Sequence, residues 1–218
     1  MLKNAPAAKP ASVGRRCLSE SRYPRLDPAD PNFWEVRYRD NFAPWDAGKV
    51  PKMLVEYVAH STPPRKILVP GCGSAHETRF LIEAGWPALA IDFSAAAVAK
   101  AINVLGPFAN HVRKLDFFSP ELGPGSFDFI YERAFLCALP RRMWNAWAKR
   151  NTELLAPGGR LAGFFYFGEG ERGPPFGLKA GELEALLQND FQRVELSLPD
   201  DSITVFQGKE QWQVWQKL

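Results

Sequence analysis

Short apolar runs alternate with amphipathic stretches over most of this chain. KILVP (66–70), ALAID (88–92), FDFIYE (127–132) and RLAGFFYF (160–167) are brief runs of the kind that form strands buried on both faces. Residues 110–115 predict a further strand. The stretches between them carry helical signals. Asp30 followed by Pro31 reads as an N-cap with proline at the first helical position, opening a short helix over PNFWEVRYRD. Leu54, Val55 and Val58 place a helix within 50–60, closed by Pro63-Pro64. His76 to Ala84 predicts a helix ended by Gly85, and Ser94 caps an alanine-rich helix over 95–105. Arg141 to Leu155 predicts another, stopped by Pro157-Gly158-Gly159, and Leu183 to Leu187 lies in a last one. FQRVELSL (191–198) and KEQWQVWQKL (209–218) predict a closing antiparallel pair. Strands that alternate with helices imply one doubly wound α/β domain with a mainly parallel sheet covered on both faces. There is no internal repeat and no sign of a second domain.

The sharpest chemical signal is ILVPGCGSAHET (67–78), a strand running into Gly71-Cys72-Gly73 and then a helix. Glycines there let the backbone turn tightly and approach a ligand. Asp92 closes the next strand, 21 positions after Gly71. In a doubly wound sheet that carboxylate sits beside the glycine loop, where it can accept from both hydroxyls of a ribose. A dinucleotide fingerprint requires a third glycine where this chain has His76, and a P-loop requires GK[ST], which is absent. A nucleoside cofactor without phosphate fits, and S-adenosylmethionine is one. In KLDFF (114–118), Asp116 could meet an adenine amino group and Phe117 could pack on its ring. An ordinary loop aspartate with two core phenylalanines reads equally well.

Composition narrows the class. A chain of 218 residues, 46% hydrophobic and 23% charged, suits one globular domain. The net charge of +3 is unevenly placed: residues 1–26 hold six Lys or Arg against Glu20, leaving −2 for the remainder. Residues 1–28 therefore read as a disordered basic tail, with a transit peptide as a second reading. The near-neutral remainder gives no ground for a nucleic-acid partner. Cys17, Cys72 and Cys137 have no CxxC spacing, and His60, His76 and His111 have no metal-ligand spacing. We expect no metal, no membrane helix and a reducing, cytoplasmic setting.

WEVRYRDNFAPWDAGKVP, LVPGCG, the Asp92-Phe93-Ser94 triplet, FDFIYERAFLCALP and GERGPPFG follow one another as in the thiopurine S-methyltransferase family. That family includes bacterial thiopurine enzymes and plant halide and thiol methyltransferases, and the resemblance runs over residues 32–218. It implies a seven-stranded, mostly parallel sheet with an antiparallel last strand, S-adenosylmethionine as cofactor and a small-molecule acceptor. It also implies roles for residues. Trp34 and Trp45 belong to an amino-terminal lid at 30–48, with Trp45 against the cofactor. Gly71, Cys72 and Gly73 face its methionine part, and Asp92, Phe93 and Ser94 its ribose. Asp116 and Phe117 border the adenine. Glu132 and Arg133 stand where the methyl group is handed over, with the GERGPPFG loop and Phe176 walling the same crevice. The acceptor itself does not transfer with the resemblance. A thiol, thiopurine-like heterocycle or related sulfur, selenium or halide nucleophile leads. An O- or N-methyltransferase and a non-catalytic nucleoside-binding module stay open, and the chain is expected to be a monomer.

Overall fold

The computed structural model describes residues 23, 26–61, 66–170 and 172–218. Most of the basic tail, residues 1–22, 24 and 25, and Pro63-Pro64 lie outside the described residues. Helix α1 (Pro31–Arg39) begins where the sequence predicts, with the Asp30 side chain accepting from the Asn32 amide. Helix α2 (Lys52–Ala59) follows. The alternating unit then runs β1 (Ile67–Pro70), α3 (His76–Glu83), β2 (Ala88–Asp92), α4 (Ala95–Leu105) and β3 (Val112–Lys114). It continues with β4 (Phe127–Arg133), α5 (Trp144–Leu154), β5 (Leu155–Tyr166), α6 (Glu182–Leu187), β6 (Phe191–Ser197) and β7 (Glu210–Lys217). Among the described residues no helix is long and apolar enough to cross a membrane.

All seven strands form one sheet in the order β3-β2-β1-β4-β5-β7-β6. Strands β1 to β5 pair in parallel, and β7 runs antiparallel between β5 and β6. The chain thus starts at β1 in the middle, winds outward to β3, and returns to β4 on the other side of β1. At that reversal the connections after β1 and β4 leave in opposite directions and open a crevice at the carboxyl ends of the strands.

Two apolar layers hold the sheet. Ile67, Val69, Phe129, Tyr131 and Phe164 pack with Leu54, Leu81 and Trp212 on one face. Leu68, Ile130, Leu161 and Phe165 pack with Trp147, Leu183 and Trp215 on the other. The period of two along β4 decides which of its side chains can meet which helix. Phe129 and Tyr131 belong to the layer of α2 and α3, and Ile130 to that of α5 and α6.

Two segments differ from the sequence expectation. Residues 106–111 form a 3-10 turn, so the strand expected over 110–115 shrinks to three residues. The Pro157-Gly158-Gly159 stop after α5 does not separate helix from strand. Leu155 already pairs with Phe127, and the ladder resumes at Phe129 with Arg160. The extra residues are absorbed as a bulge, with Gly158 at φ 71° supplying the left-handed turn.

Candidate active site

The crevice encloses about 630 Å³, a volume that suits a nucleoside together with a small second molecule. Its floor is the glycine loop. Gly71 and Gly73 have φ values of 56° and 52°. A Cβ on Gly71 would stand 2.4 Å from the Phe135 ring, and one on Gly73 2.7 Å from the Tyr38 hydroxyl. Only glycine therefore fits at either point. Cys72 also lines the crevice; burial raises its thiol pKa, so it stays neutral and acts as a small apolar residue.

Asp92 stands at the end of β2 and organises the loop. One carboxylate oxygen accepts from the Gly73 amide at 3.2 Å and the other from the Ser94 amide at 2.9 Å. Burial lifts its pKa to about 6, against the two amide hydrogen bonds, and the Glu35 carboxylate lifts it further. Hydroxyl donors from a ligand would favour the ionised form. Affinity for a ribose-bearing ligand is therefore expected to rise as pH increases through about 6 and to level off above 7. Calorimetric titration with S-adenosylhomocysteine between pH 5 and 8 checks this; affinity independent of pH would contradict the contact.

A cluster of aromatic residues from the amino-terminal segment lines the crevice beside this loop. Trp34 and Trp45 meet edge to face with ring centres 5.3 Å apart, and the Trp45 indole donates to the Tyr38 hydroxyl at 3.2 Å. Two acidic residues clasp this segment to the domain. Glu35 accepts from the Ser94 hydroxyl at 2.7 Å and from the Ala96 amide at 2.9 Å, at the start of α4. A carboxylate there also meets the positive end of the helix dipole. Asp46 accepts from the Ser74 hydroxyl and lies 3.8 Å from His76 Nε2.

The outer walls are mixed. Asp116 and Phe117 both line the crevice. One Asp116 oxygen accepts from the Phe118 amide in a local turn, and the Phe117 ring packs against Phe135 with centres 5.2 Å apart. At the end of β4 the Arg133 guanidinium lies over the Phe164 ring, 4.5 Å from its centre. It is flanked by Glu77 at 3.5 Å and Glu210 at 3.6 Å.

The structure corrects three expectations. Glu132 does not line the crevice, because successive strand residues point to opposite faces and Arg133 takes the crevice side. The Glu132 carboxylate accepts instead from the Phe135 and Leu136 amides. It braces the turn at Ala134, a non-glycine residue at φ 55°. Burial lifts the Glu132 pKa to about 7, opposed by those amides. Ser94 is not in the crevice wall either; it caps α4 and holds Glu35. Phe176 packs into the core on the α5 side, and Pro174 and Pro175 form the wall in its place. Glu35, Tyr38, Asp46, Glu77 and Tyr131 also stand at the site, beyond the residues that the sequence singles out. Glu77 carried one available signal, an acid in the first helical turn after a glycine loop.

The charge of the walls bears on the cofactor. Asp46, Glu77, Asp92 and Asp116 face Arg37 and Arg133, an excess of carboxylates. That balance suits a cationic sulfonium and opposes a pyrophosphate. Together with the glycine cradle and the Asp92 carboxylate, it fits S-adenosylmethionine.

Comparison with known proteins agrees. The thiopurine S-methyltransferase family model matches residues 29–217. Thiocyanate methyltransferase 1 of Brassica oleracea is 32% identical over 195 residues, covering 85% of this chain and 84% of that protein. Thiopurine S-methyltransferase of Vibrio cholerae is 29% identical over 183 residues, covering 72% and 80%. Among solved structures, the Burkholderia thailandensis 1,6-didemethyltoxoflavin-N1-methyltransferase with bound S-adenosylhomocysteine superposes with a TM-score of 0.71. Its identity is 17%, over 89% of this chain and 92% of that one, a likeness of fold. The glycine loop, the Asp92 carboxylate, the aromatic cluster and these matches together place the chain in the thiopurine S-methyltransferase family of S-adenosylmethionine-dependent methyltransferases.

Proposed function

We propose that this enzyme methylates the sulfur of a small thiol or thiopurine-like heterocycle, or a related selenium or halide nucleophile, at the Arg133 end of the crevice. The observation that carries the reading is the Arg133 guanidinium itself, a cation on the crevice wall fixed between two carboxylates above an aromatic ring. It can pair with a nucleophile that reacts as an anion.

When bound, the cofactor supplies a methyl group on a positively charged sulfur that departs neutral. The remaining work is alignment, worth about 7–11 kcal/mol when reactants are held in reactive geometry. Asp92 would hold the ribose, with Phe93 beside it. Gly71, Cys72 and Gly73 would pass along the methionine part, and Asp116 and Phe117 would border the adenine. Trp34 and Trp45 would cover the cofactor, Trp45 against it.

Residues 29–218 form the methyltransferase domain in this reading, and 30–48 act as its lid. The lid is tied to the domain by the side-chain hydrogen bonds of Glu35 and Asp46 and by Tyr38, which packs on the glycine loop, contacts that a segment closing over a ligand can make and release. Hydrogen exchange at the amides around Trp34 and Trp45 is expected to slow several-fold when S-adenosylhomocysteine is added. Equal protection with and without it would count against a lid. We read the protein further as a cytoplasmic monomer without a nucleic-acid partner. Cys72 and Cys137 are free thiols, and the chain beyond residue 26 carries a charge of −2.

The direct test is a screen with methyl-labelled cofactor. Thiols, thiocyanate and iodide are compared with phenolic and amine acceptors. Label recovered on sulfur or on the anions supports the proposal. Label recovered only on oxygen or nitrogen replaces it with the corresponding methyltransferase, and none on any acceptor points to a binding module.

A further inference from the structure

The acceptor end of the crevice holds a second carboxylate arrangement, distinct from the Asp92 contact. Glu77 lies on the first turn of α3, directly after the glycine loop, and lines the crevice with its side chain 16% exposed. The Arg133 guanidinium between Glu77 and Glu210 is one positive charge between two negative ones. Its distances to them, 3.5 and 3.6 Å, exceed ordinary hydrogen-bond lengths, so neither contact commits its donors fully. Tyr131, also on the crevice wall, has a buried hydroxyl with no hydrogen-bond partner among the described residues. One Glu210 oxygen is likewise buried and unpartnered. Unsatisfied buried polar groups gathered around one cation mark a place where a ligand completes the network.

We propose that Glu77 is the proton acceptor for a thiol substrate, with Arg133 holding the thiolate that forms. The inference rests on the reading that the acceptor is a thiol. The thiol S–H bond breaks, its proton moves to a Glu77 carboxylate oxygen, and the bonding pair stays on sulfur beside Arg133. That pair becomes the new sulfur–carbon bond, while the pair of the broken donor bond neutralises the cofactor's sulfonium. Glu77 returns its proton to water once the product leaves, so one proton is released for each methyl transferred.

The surroundings suit the task. Burial raises the Glu77 pKa from its ordinary value and the Arg133 charge opposes the rise. The shift brings the carboxylate nearer to a thiol, which makes it a better base for one. Asp46 from the lid reinforces it and the neighbouring His76 opposes it. Tyr131 and Cys72 also face Glu77. Burial raises both of their pKa values, so they remain neutral beside it. Glu210 acts through the shared Arg133.

The test compares an acceptor that carries a proton with one that does not. Both benzyl mercaptan and thiocyanate react as anions at sulfur, but only the thiol must first lose a proton. In Glu77→Gln, the ratio of kcat/KM for benzyl mercaptan to that for thiocyanate is expected to fall at least about tenfold. The lost thiol activity should return as pH rises toward the thiol's own ionisation, which a purely structural defect would not allow. A ratio that changes less than about tenfold overturns the proposal. The wild-type enzyme provides a check that does not depend on the variant folding. If Glu77 takes the proton, the acid limb of kcat/KM falls at the same pH for benzyl mercaptan and for the more acidic trifluoroethanethiol. A limb that follows each thiol's own ionisation overturns it. Wild-type enzyme that methylates no thiol defeats the acceptor reading, and the inference with it, a result distinct from an unchanged ratio in an active enzyme.

Discussion

Asp92→Ala is expected to weaken S-adenosylhomocysteine binding by about a hundredfold or more. A carboxylate that accepts two ribose hydroxyls makes two hydrogen bonds to a charged group, each worth roughly 1.5–3 kcal/mol. Losing both costs about 3 kcal/mol or more, which is two orders of magnitude in affinity. The same substitution strips the Gly73 and Ser94 amides of their acceptor, so the floor of the site loosens too. Asp92→Asn keeps the shape and one acceptor oxygen and should fall between the two. Calorimetry on folded protein decides. Unchanged affinity in the alanine variant would remove the ribose contact from the site.

The second large effect is on stability. Gly163→Ala would drive a Cβ to 1.9 Å from the Glu132 carbonyl oxygen and 2.8 Å from its Cα. Gly163 stands opposite Glu132 in the β4–β5 ladder, with Phe164 opposite Arg133. The obstacle is the Glu132 backbone itself, so no side chain can swing away and the two strands must separate. Overpacking of this kind costs about 3 kcal/mol or more. For a chain of this size that lowers Tm by roughly 6–12 °C. Gly208→Ala is the control: Gly208 has φ 72° but open space around it. Only the left-handed backbone is penalised there, at about 1 kcal/mol. Equal melting temperatures for the two variants would show that the strands yield without cost. The separation would also displace Arg133, so Gly163→Ala should lose acceptor turnover beyond what its unfolding explains.

Both predictions use residues whose legibility in the sequence differed. Asp92 could be read because its partner, the glycine loop, lies one strand–helix unit away and is tied to it by local chain geometry. Caps and short strands were legible for the same reason: Asp30 with Pro31, Ser94 before its alanine-rich helix, and the apolar ALAID run. Gly163 read only as a strand residue, because the close approach of Glu132 depends on the register between two strands. The bulge at 157–159 was hidden likewise, since proline and glycine after a helix signal a stop whether or not the chain is already paired. Glu132 and Arg133 are neighbours in the sequence but not in function, because strand alternation sends them to opposite faces of β4. Glu35 and Asp46 act on Ser94 and Ser74, and Glu210 reaches Arg133 from the start of the antiparallel strand. These pairings span 28 to 77 positions, and only the assembled sheet brings them together.

The aromatic cluster has an optical consequence. Of the seven tryptophans, Trp86, Trp144, Trp147, Trp212 and Trp215 are at most 3% exposed, while Trp34 and Trp45 are only half-buried. A polar quencher in solution is therefore expected to reach Trp34 and Trp45 and to leave the five core indoles untouched. Those two rings, 5.3 Å apart and inclined at 84°, are also close enough for their electronic transitions to couple. Both rings belong to one segment of the chain, so their shared near-ultraviolet dichroism reports the internal packing of that segment, while the quencher reports its exposure, two unlabelled signals from the same pair of residues.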